Sequence, residues 1–305
     1  MTQSTPVASM TVDAGSAAHT AAAVSAEELS FSYGETEAVR GISFEIAPAE
    51  IFGFLGPNGA GKTTTIKMLT GQLRPKGGSV RIMGRDVGRD DPVTQAQIGV
   101  CFEEKNLYDA MSGEENLRFF ASLFEVDGVD TDALLQRVGL ADRAGDRVGS
   151  YSKGMRQRLM VARALVNQPS VLFLDEPTDG LDPVSSKAIR AVIREEAERG
   201  AAVLLTTHDM WEADELSHRV AFINEGRIYA IDTPENLKLQ HGERSVKVRR
   251  RDGAGVHEVS VALDDPGAGD ELRRAVQAEG LMTIHTEEST LENIFVEMTG
   301  RALEA

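Results

Sequence analysis

The sequence predicts an α/β fold whose core is a parallel sheet, followed by a small α+β unit. Residues 171–174 are apolar at every position, as expected of a parallel strand that is covered on both faces. A helical pattern from Ile189 to Gly200 and a second apolar strand at 202–206 follow it, and strand, helix, strand in this order indicates a parallel connection. After about residue 240 the pattern changes to short strands alternating with helices.

The elements before this core follow from local pattern. Short strands are predicted at 28–32, 41–46 and 51–55, with a helix at 62–69 and further strand around the glycine turns at 77–84. Residues from about 104 to 168 have apolar positions at three- and four-residue spacing until Pro169, which indicates a helical insertion.

Three domains are predicted from these changes. Residues 1–26 are rich in Ala, Ser and Thr and are predicted to be a disordered tail. Residues 27–240 form the main domain, including the helical insertion, and residues 241–305 form a small α+β domain.

The last helix of the small domain has two recognisable features. Ser289 with Glu292 fits a capping box at its start. Four apolar residues form a stripe along it: Leu291, Ile294, Phe295 and Met298. We expect the stripe to pack within its own domain, with contact to a partner protein as the alternative.

Composition excludes several classes of protein. The 305 residues contain 32 Lys and Arg against 48 Asp and Glu, and the resulting net charge of -16 argues against a nucleic-acid-binding surface. No apolar run approaches the length of a membrane span, and the first basic residue is Arg40, so neither a secretory signal nor a transit peptide fits. Cys101 is the single cysteine, which fits a reducing compartment such as the cytosol.

A glycine-rich loop joins the apolar strand at 51–55 to the helix at 62–69, and it matches the eight-residue P-loop pattern in the context that pattern requires. Its backbone N–H groups and the helix N-terminus can surround phosphate oxygens, while Lys62 neutralises phosphate charge and Thr63 ligates Mg²⁺. We expect these residues to bind the nucleotide: Gly56, Pro57, Asn58, Gly59, Ala60, Gly61, Lys62, Thr63 and Thr64.

Two carboxylates follow the buried strand at 171–174, at the end of the sheet where open parallel sheets bind ligands. We expect Asp175 to hold Mg²⁺ and Glu176 to act as the general base that activates the attacking water.

A third motif identifies a family resemblance. The segment 151–155, Tyr-Ser-Lys-Gly-Met, resembles the signature sequence of ATP-binding-cassette (ABC) proteins, although Lys153 and Met155 depart from the commonest Gly and Gln. The resemblance covers about residues 27–240, and the segment 291–301 is similar to the end of bacterial drug- and polymer-exporter ATPases. It implies a P-loop cassette fold with an antiparallel β subdomain and a helical subdomain. It also implies that Ser152 and Gly154 reach the γ-phosphate bound by the opposite subunit.

Four further residues take roles from this resemblance. Tyr33 resembles the aromatic residue that stacks on adenine, and Asp182 lies in a segment similar to the loop that crosses the dimer interface. His208 resembles the switch histidine that contacts the γ-phosphate. Glu103 stands where the family has a glutamine near the metal, and we hypothesise that its carboxylate ligates Mg²⁺, with solvent or a permease contact as the alternative.

The resemblance implies an ATPase that uses ATP and Mg²⁺ to drive an exporter. Its partners would be a separate transmembrane permease and a second cassette, as a homodimer, placing the chain peripherally at the cytoplasmic face of the membrane. A soluble cassette ATPase acting on ribosomes or DNA and a non-catalytic binding module are the alternatives. The sequence has one P-loop and no heptad run, which disfavours a soluble ATPase of ribosomes or DNA. Glu176 disfavours a non-catalytic binding module.

A basic run, Arg249 to Arg251, stands out in this acidic chain. It is either a solvated strand face or a contact for anionic lipid or an acidic permease loop.

Overall fold

The computed structural model describes residues 21–88, 91–102, 106–242, 245–252, 255–287 and 289–300. The strands are β1 (Val24–Tyr33), β2 (Thr36–Ile46), β3 (Ile51–Leu55), β4 (Gly77–Ile82), β5 (Arg85–Asp86), β6 (Ile98–Cys101), β7 (Val171–Asp175), β8 (Ala202–Thr207), β9 (Arg219–Asn224), β10 (Arg227–Asp232), β11 (Ser245–Asp252), β12 (Gly255–Ala262) and β13 (Leu281–Glu287). The α-helices are α1 (Lys62–Leu69), α2 (Pro92–Gln95), α3 (Gly113–Leu123), α4 (Thr131–Arg137), α5 (Lys153–Ala164), α6 (Pro183–Glu198), α7 (Met210–Leu216), α8 (Pro234–His241), α9 (Ala268–Gln277) and α10 (Leu291–Thr299).

The central sheet has six strands in the order β10-β9-β3-β8-β7-β6. The five strands from β9 to β6 are parallel, and β10 pairs antiparallel at one edge. All residues of β3, β7 and β8 are buried, because helices or the second sheet cover both faces. The α/β core predicted from the apolar strands is therefore confirmed. Because β3, β7 and β8 are parallel, their C-terminal ends lie at the same edge of the sheet.

The first strands of the chain form a second, antiparallel sheet with the strand order β2-β1-β4-β5. Its first strand begins at Val24, whose side chain is fully buried, and it pairs with β2 and β4. The tail predicted to extend to residue 26 is therefore too long by three residues, because Val24 and Ala26 alternate into the core. Residues 1–20 lie outside the described part of the chain.

The helical region is less continuous than its spacing predicts. Within 106–168 the structure has α3, α4 and α5, and between α4 and α5 the chain makes only two short 3₁₀ turns, Ala141–Arg143 and Val148–Ser150. The side chains of Leu117, Leu135 and Leu159 join these helices to one apolar core beneath β6 and β7.

The C-terminal strands form a separate three-stranded antiparallel sheet, β12-β11-β13. Helix α9 covers one face, where Val246 and Val248 are buried. Since neighbouring residues of a strand point to opposite faces, the three arginines of β11 do not form one patch. Arg249 and Arg251 are exposed, and Arg249 pairs with Glu258 at 2.8 Å, whereas Arg250 is half-buried on the other face. A contact of the exposed pair with an anionic surface stays a prediction.

Helix α10 does not pack on this small sheet. Leu291, Ile294 and Phe295 are buried in a cluster with residues of β3, β9, α7 and α8, and Met298 packs at its edge. The expectation that the stripe packs within its own domain is wrong, because its partners lie on the central sheet and the helices beside it. The predicted capping box is also wrong, since the helix starts one residue later and Thr290 accepts the backbone N–H of Asn293 at 3.2 Å.

Within the described parts of the chain, no helix combines the length and the apolar content needed to cross a lipid bilayer.

Candidate functional site

The glycine-rich loop leaves β3 and enters α1, and two of its glycines are required by their surroundings. Gly61 has φ +108° at the start of α1, a conformation that L side chains rarely adopt. A Cβ on Gly56 would lie 2.1 Å from the carbonyl oxygen of Ile223. No side chain caps the N-terminus of α1, so its first backbone N–H groups can bind an anion, which the positive end of the helix also favours.

Lys62 is the first residue of α1 and its side chain is 6% exposed. Its ammonium donates to the carbonyl oxygen of Gly56 at 2.5 Å and lies 3.1 Å from Oε1 of Glu176. The contact between Lys62 and Oε1 is an ion pair whose geometry is not that of a hydrogen bond, since Oε1 accepts no hydrogen bond. Lys62 thus places a buried positive charge between the loop and the end of β7.

Asp175 is the last residue of β7 and is almost fully buried. Its Oδ2 accepts the hydroxyl of Thr63 at 2.7 Å, and its Oδ1 accepts the hydroxyl of Thr206 at 2.5 Å. A carboxylate beside a hydroxyl offers the hard oxygen ligands that Mg²⁺ prefers.

No group of three or more His, Cys, Asp or Glu residues in the described ranges could hold a metal by itself. The oxygens of Thr63 and Asp175 nevertheless fit Mg²⁺, which is usually held by one or two carboxylates together with substrate phosphates and water. Glu103, the third predicted ligand, lies outside the described residues, so its role stays a hypothesis.

Glu176 has an unusual backbone, with φ +49°. Its N–H donates to both the carbonyl and the hydroxyl oxygen of Thr206, each at 3.1 Å. Its side chain is 12% exposed, and Oε2 lies 2.9 Å from Nδ1 of His208. An ionised carboxylate can only accept, so Nδ1 carries the hydrogen of this bond. A left-handed non-glycine residue that its surroundings hold in this way is typical of an active site.

The loop and these side chains enclose a pocket of about 270 Å³. Tyr33 stands at its mouth with half of its surface exposed, and it packs edge-on against Phe31. Among the predicted residues, Gly56 and the buried Ala60 support the loop from behind and do not line the pocket. Its lining is Tyr33, Ala38, Pro57, Asn58, Gly59, Gly61, Lys62, Thr63, Thr64, Asp175 and Glu176.

His208 contacts Glu176 but does not itself line this pocket, and neither do the residues predicted to act across a subunit interface. Ser152 caps α5, accepting the N–H of Met155 at 3.2 Å, and Gly154 packs closely on Leu181. Asp182 caps α6, since its Oδ1 accepts the N–H groups of Val184 and Ser185, while its Oδ2 accepts the Ser185 hydroxyl, and this last hydrogen bond is the main cause that lowers its pKa. In this chain the structure gives Asp182 a capping role, and it places the signature segment beside the 179–182 loop.

The sequence reasoning missed residues that act behind the pocket. Thr206 binds both carboxylate residues, although it looks like an ordinary end of an apolar strand. Glu212 of α7 is buried and accepts the hydroxyl of Thr178 at 2.8 Å, and burial raises its pKa. The pattern of α7 gives no signal that this glutamate points inward.

Comparison with known proteins places these features in a family. Residues 39–179 match the family described as ABC transporter. The chain is 46% identical over 267 residues to a fluoroquinolones export ATP-binding protein of Mycobacterium tuberculosis, covering 87% of this chain and 89% of that protein. It is 37% identical to the Nod factor export ATP-binding protein I of Paraburkholderia xenovorans, covering 93% and 99%. The fold is similar to a solved ATP-binding subunit of an ABC transporter, with TM-score 0.65 and 28% identity over 71% of this chain and 92% of that one.

Proposed function

Since this chain belongs to the ABC transporter family and is an ATP-binding, ATP-hydrolysing protein, we propose that it powers an exporter whose membrane-spanning subunit is a separate chain. The two relatives described above are named for export, which supports this direction of transport. The same names disfavour the alternative of a soluble ATPase that acts on ribosomes or DNA. The protein would then lie at the cytoplasmic face of the membrane, held there by the permease.

One observation carries the catalytic assignment: the carboxylate of Glu176 is held between Lys62 and His208 at the wall of the P-loop pocket. We assign phosphate binding to the loop N–H groups and to Lys62, and adenine stacking to Tyr33. Thr63 and Asp175 would hold Mg²⁺, which when bound neutralises charge on the β- and γ-phosphates.

The chemical step falls to Glu176. It accepts a proton from the attacking water and thereby orients the water toward the γ-phosphate. Its bond to His208 fixes the direction of the carboxylate, and its backbone bonds to Thr206 hold its left-handed backbone in place. We assign to the other ring nitrogen of His208, whose side chain is 45% exposed, the γ-phosphate contact that the family resemblance implies.

The pocket of one chain has no contact with its own Ser152, Gly154 or Asp182. We propose that two chains pair head to tail, so that the signature segment of each completes the pocket of the other. A homodimer satisfies this arrangement with one kind of chain.

Replacing Glu176 by Gln tests this function. The variant should bind ATP with native affinity while turnover falls about 10²- to 10⁴-fold, the usual effect of removing a positioned base. ATP should then trap a dimer that light scattering detects. Glu198→Gln, which changes an exposed carboxylate at the end of α6, is the matched control. A variant that stays monomeric in ATP or hydrolyses at the native rate would contradict the proposal.

A further inference from the structure

The Glu176 peptide is held from a second direction, by the helix that carries the signature segment. Nε2 of Gln157, on α5, donates to the carbonyl oxygen of Glu176 at 3.3 Å. The Gln157 side chain is 4% exposed, and its other neighbour is Sγ of Cys101, at 3.9 Å. The N–H of Glu176 is bound by Thr206 of β8, so the two sides of this left-handed residue depend on two different elements.

Gln157 follows the signature segment by two residues, and its side chain reaches Glu176 at the end of β7. Its neighbours on α5 turn the other way: Arg156 donates to the carbonyl of Gly149 and pairs with Asp109, and Arg158 donates to the carbonyls of Val138 and Gly139. Both arginines therefore tie α5 to the rest of the helical region. A displacement of that region would act on Glu176 through the Gln157 amide.

The signature end lies a short distance from this contact. Ser152 caps α5 and Gln157 follows five residues later, about 7.5 Å along a helix that rises 1.5 Å per residue. A helix of this length moves as a rigid body, because its backbone hydrogen bonds fix each turn to the next. A ligand that pulls on Ser152 therefore shifts the amide of Gln157 as well.

We infer that Gln157 is a positioning residue which couples the signature helix to Glu176 of the same chain. The inference rests on the proposed head-to-tail pairing, in which Ser152 of one chain contacts the nucleotide bound by its partner. ATP bound in the partner's pocket would then set the position of the Glu176 carbonyl in this chain. The side chain of this Glu176 acts in the chain's own pocket. The two hydrolysis sites of a pair would depend on each other through this bond.

Two isosteric variants separate positioning from packing. Gln157→Met fills the same space without a donor, so kcat should fall roughly 5- to 30-fold, the rate equivalent of one lost buried hydrogen bond. The ATP Kd should stay within about twofold of the native value, because Gln157 does not line the pocket. The Hill coefficient for ATP should fall relative to the native protein. Cys101→Ala, which removes the other neighbour of the same amide, is the control and should change kcat less than about twofold.

Gln157→Glu gives a readout that packing alone would not produce. An ionised glutamate repels the carbonyl oxygen of Glu176, whereas a protonated one donates to it, and burial raises the pKa of such a carboxyl. The ratio of variant to native kcat should therefore rise as pH falls, while the ratio for Gln157→Met stays constant. Dividing by the native rate removes the pH effects that the variant and the native protein share.

The measurements use the full-length chain at concentrations where native turnover per chain has reached its plateau, with Glu176→Gln measured in parallel. A native kcat and Hill coefficient in Gln157→Met, or a ratio for Gln157→Glu that does not change with pH, would overturn the inference. A loss of ATP affinity as large as the loss of kcat would do the same, since it indicates a structural role. If Glu176→Gln keeps native turnover, the proposed function itself fails, which distinguishes the two. Should Gln157→Met not fold, the pH ratio of Gln157→Glu decides alone.

Discussion

Helix α10 should stabilise the nucleotide-binding domain although it follows a separate sheet in the chain. Phe295 is fully buried, and its ring meets that of Phe222 in β9 edge to face, with centroids 5.4 Å apart. The same cluster contains Met210 of α7, two residues after His208, and Leu55, which ends β3 directly before the P-loop. Phe295→Ala would therefore leave a cavity beneath the functional site.

The magnitude follows from the burial. Truncating a fully buried phenylalanine to alanine costs about 3–5 kcal/mol, which includes the lost aromatic pair. For a domain of this size each kcal/mol lowers the midpoint of thermal unfolding by roughly 2–4 °C, so the variant should melt about 6–20 °C lower. Val296 on the same helix is 37% exposed, and Val296→Ala should change the free energy of unfolding by less than about 0.5 kcal/mol.

Urea and thermal unfolding followed by far-UV circular dichroism measure this loss. Trp211, the single tryptophan, lies on α7 beside the cluster and reports on this side of the main domain by fluorescence. If Phe295→Ala shifts only a transition of the C-terminal sheet and leaves the Trp211 transition in place, the docking of α10 contributes nothing to the main domain and the reasoning is refuted.

Three further outcomes are expected. Burial raises the pKa of Cys101 to about 12, so a thiol reagent at about pH 8 should modify the native protein more than about 10³-fold more slowly than the urea-unfolded chain; equal rates would contradict its burial. Burial also raises the pKa of Glu212 above its ordinary 4.5, so its contribution to stability is present below that pH and is lost as pH rises through the raised pKa. Glu212→Gln, which keeps an oxygen for Thr178, should gain stability over the native protein as pH rises above 4.5, and a constant difference would refute this. ATP at a hundred times the native Kd should stabilise the native protein by about 2.7 kcal/mol, and an equal gain in Lys62→Ala at the same ATP concentration would argue against phosphate binding by Lys62.

The parts of the site that depend on neighbours in the chain could be predicted from local sequence pattern. The P-loop, its strand and its helix form one continuous segment, and 51–55 and 62–69 are the observed bounds of β3 and α1. Asp175 and Glu176 follow an apolar strand directly, so their position at the sheet edge also follows from local pattern. Such features are set by periodicity and backbone conformation, which a single sequence displays.

Contacts between side chains far apart in the chain could not be predicted in this way and were found in the folded structure. The bonds from Thr206 to Asp175 and from Gln157 to Glu176 join residues 31 and 19 positions apart, and their sequence context is that of ordinary strand and helix residues. The apolar stripe of α10 was visible, but its partners were not, because an amphipathic face indicates that a helix is covered without indicating what covers it. The residues that would bind nucleotide and metal therefore belong to local motifs, whereas the contacts that hold them in place form only when the chain folds.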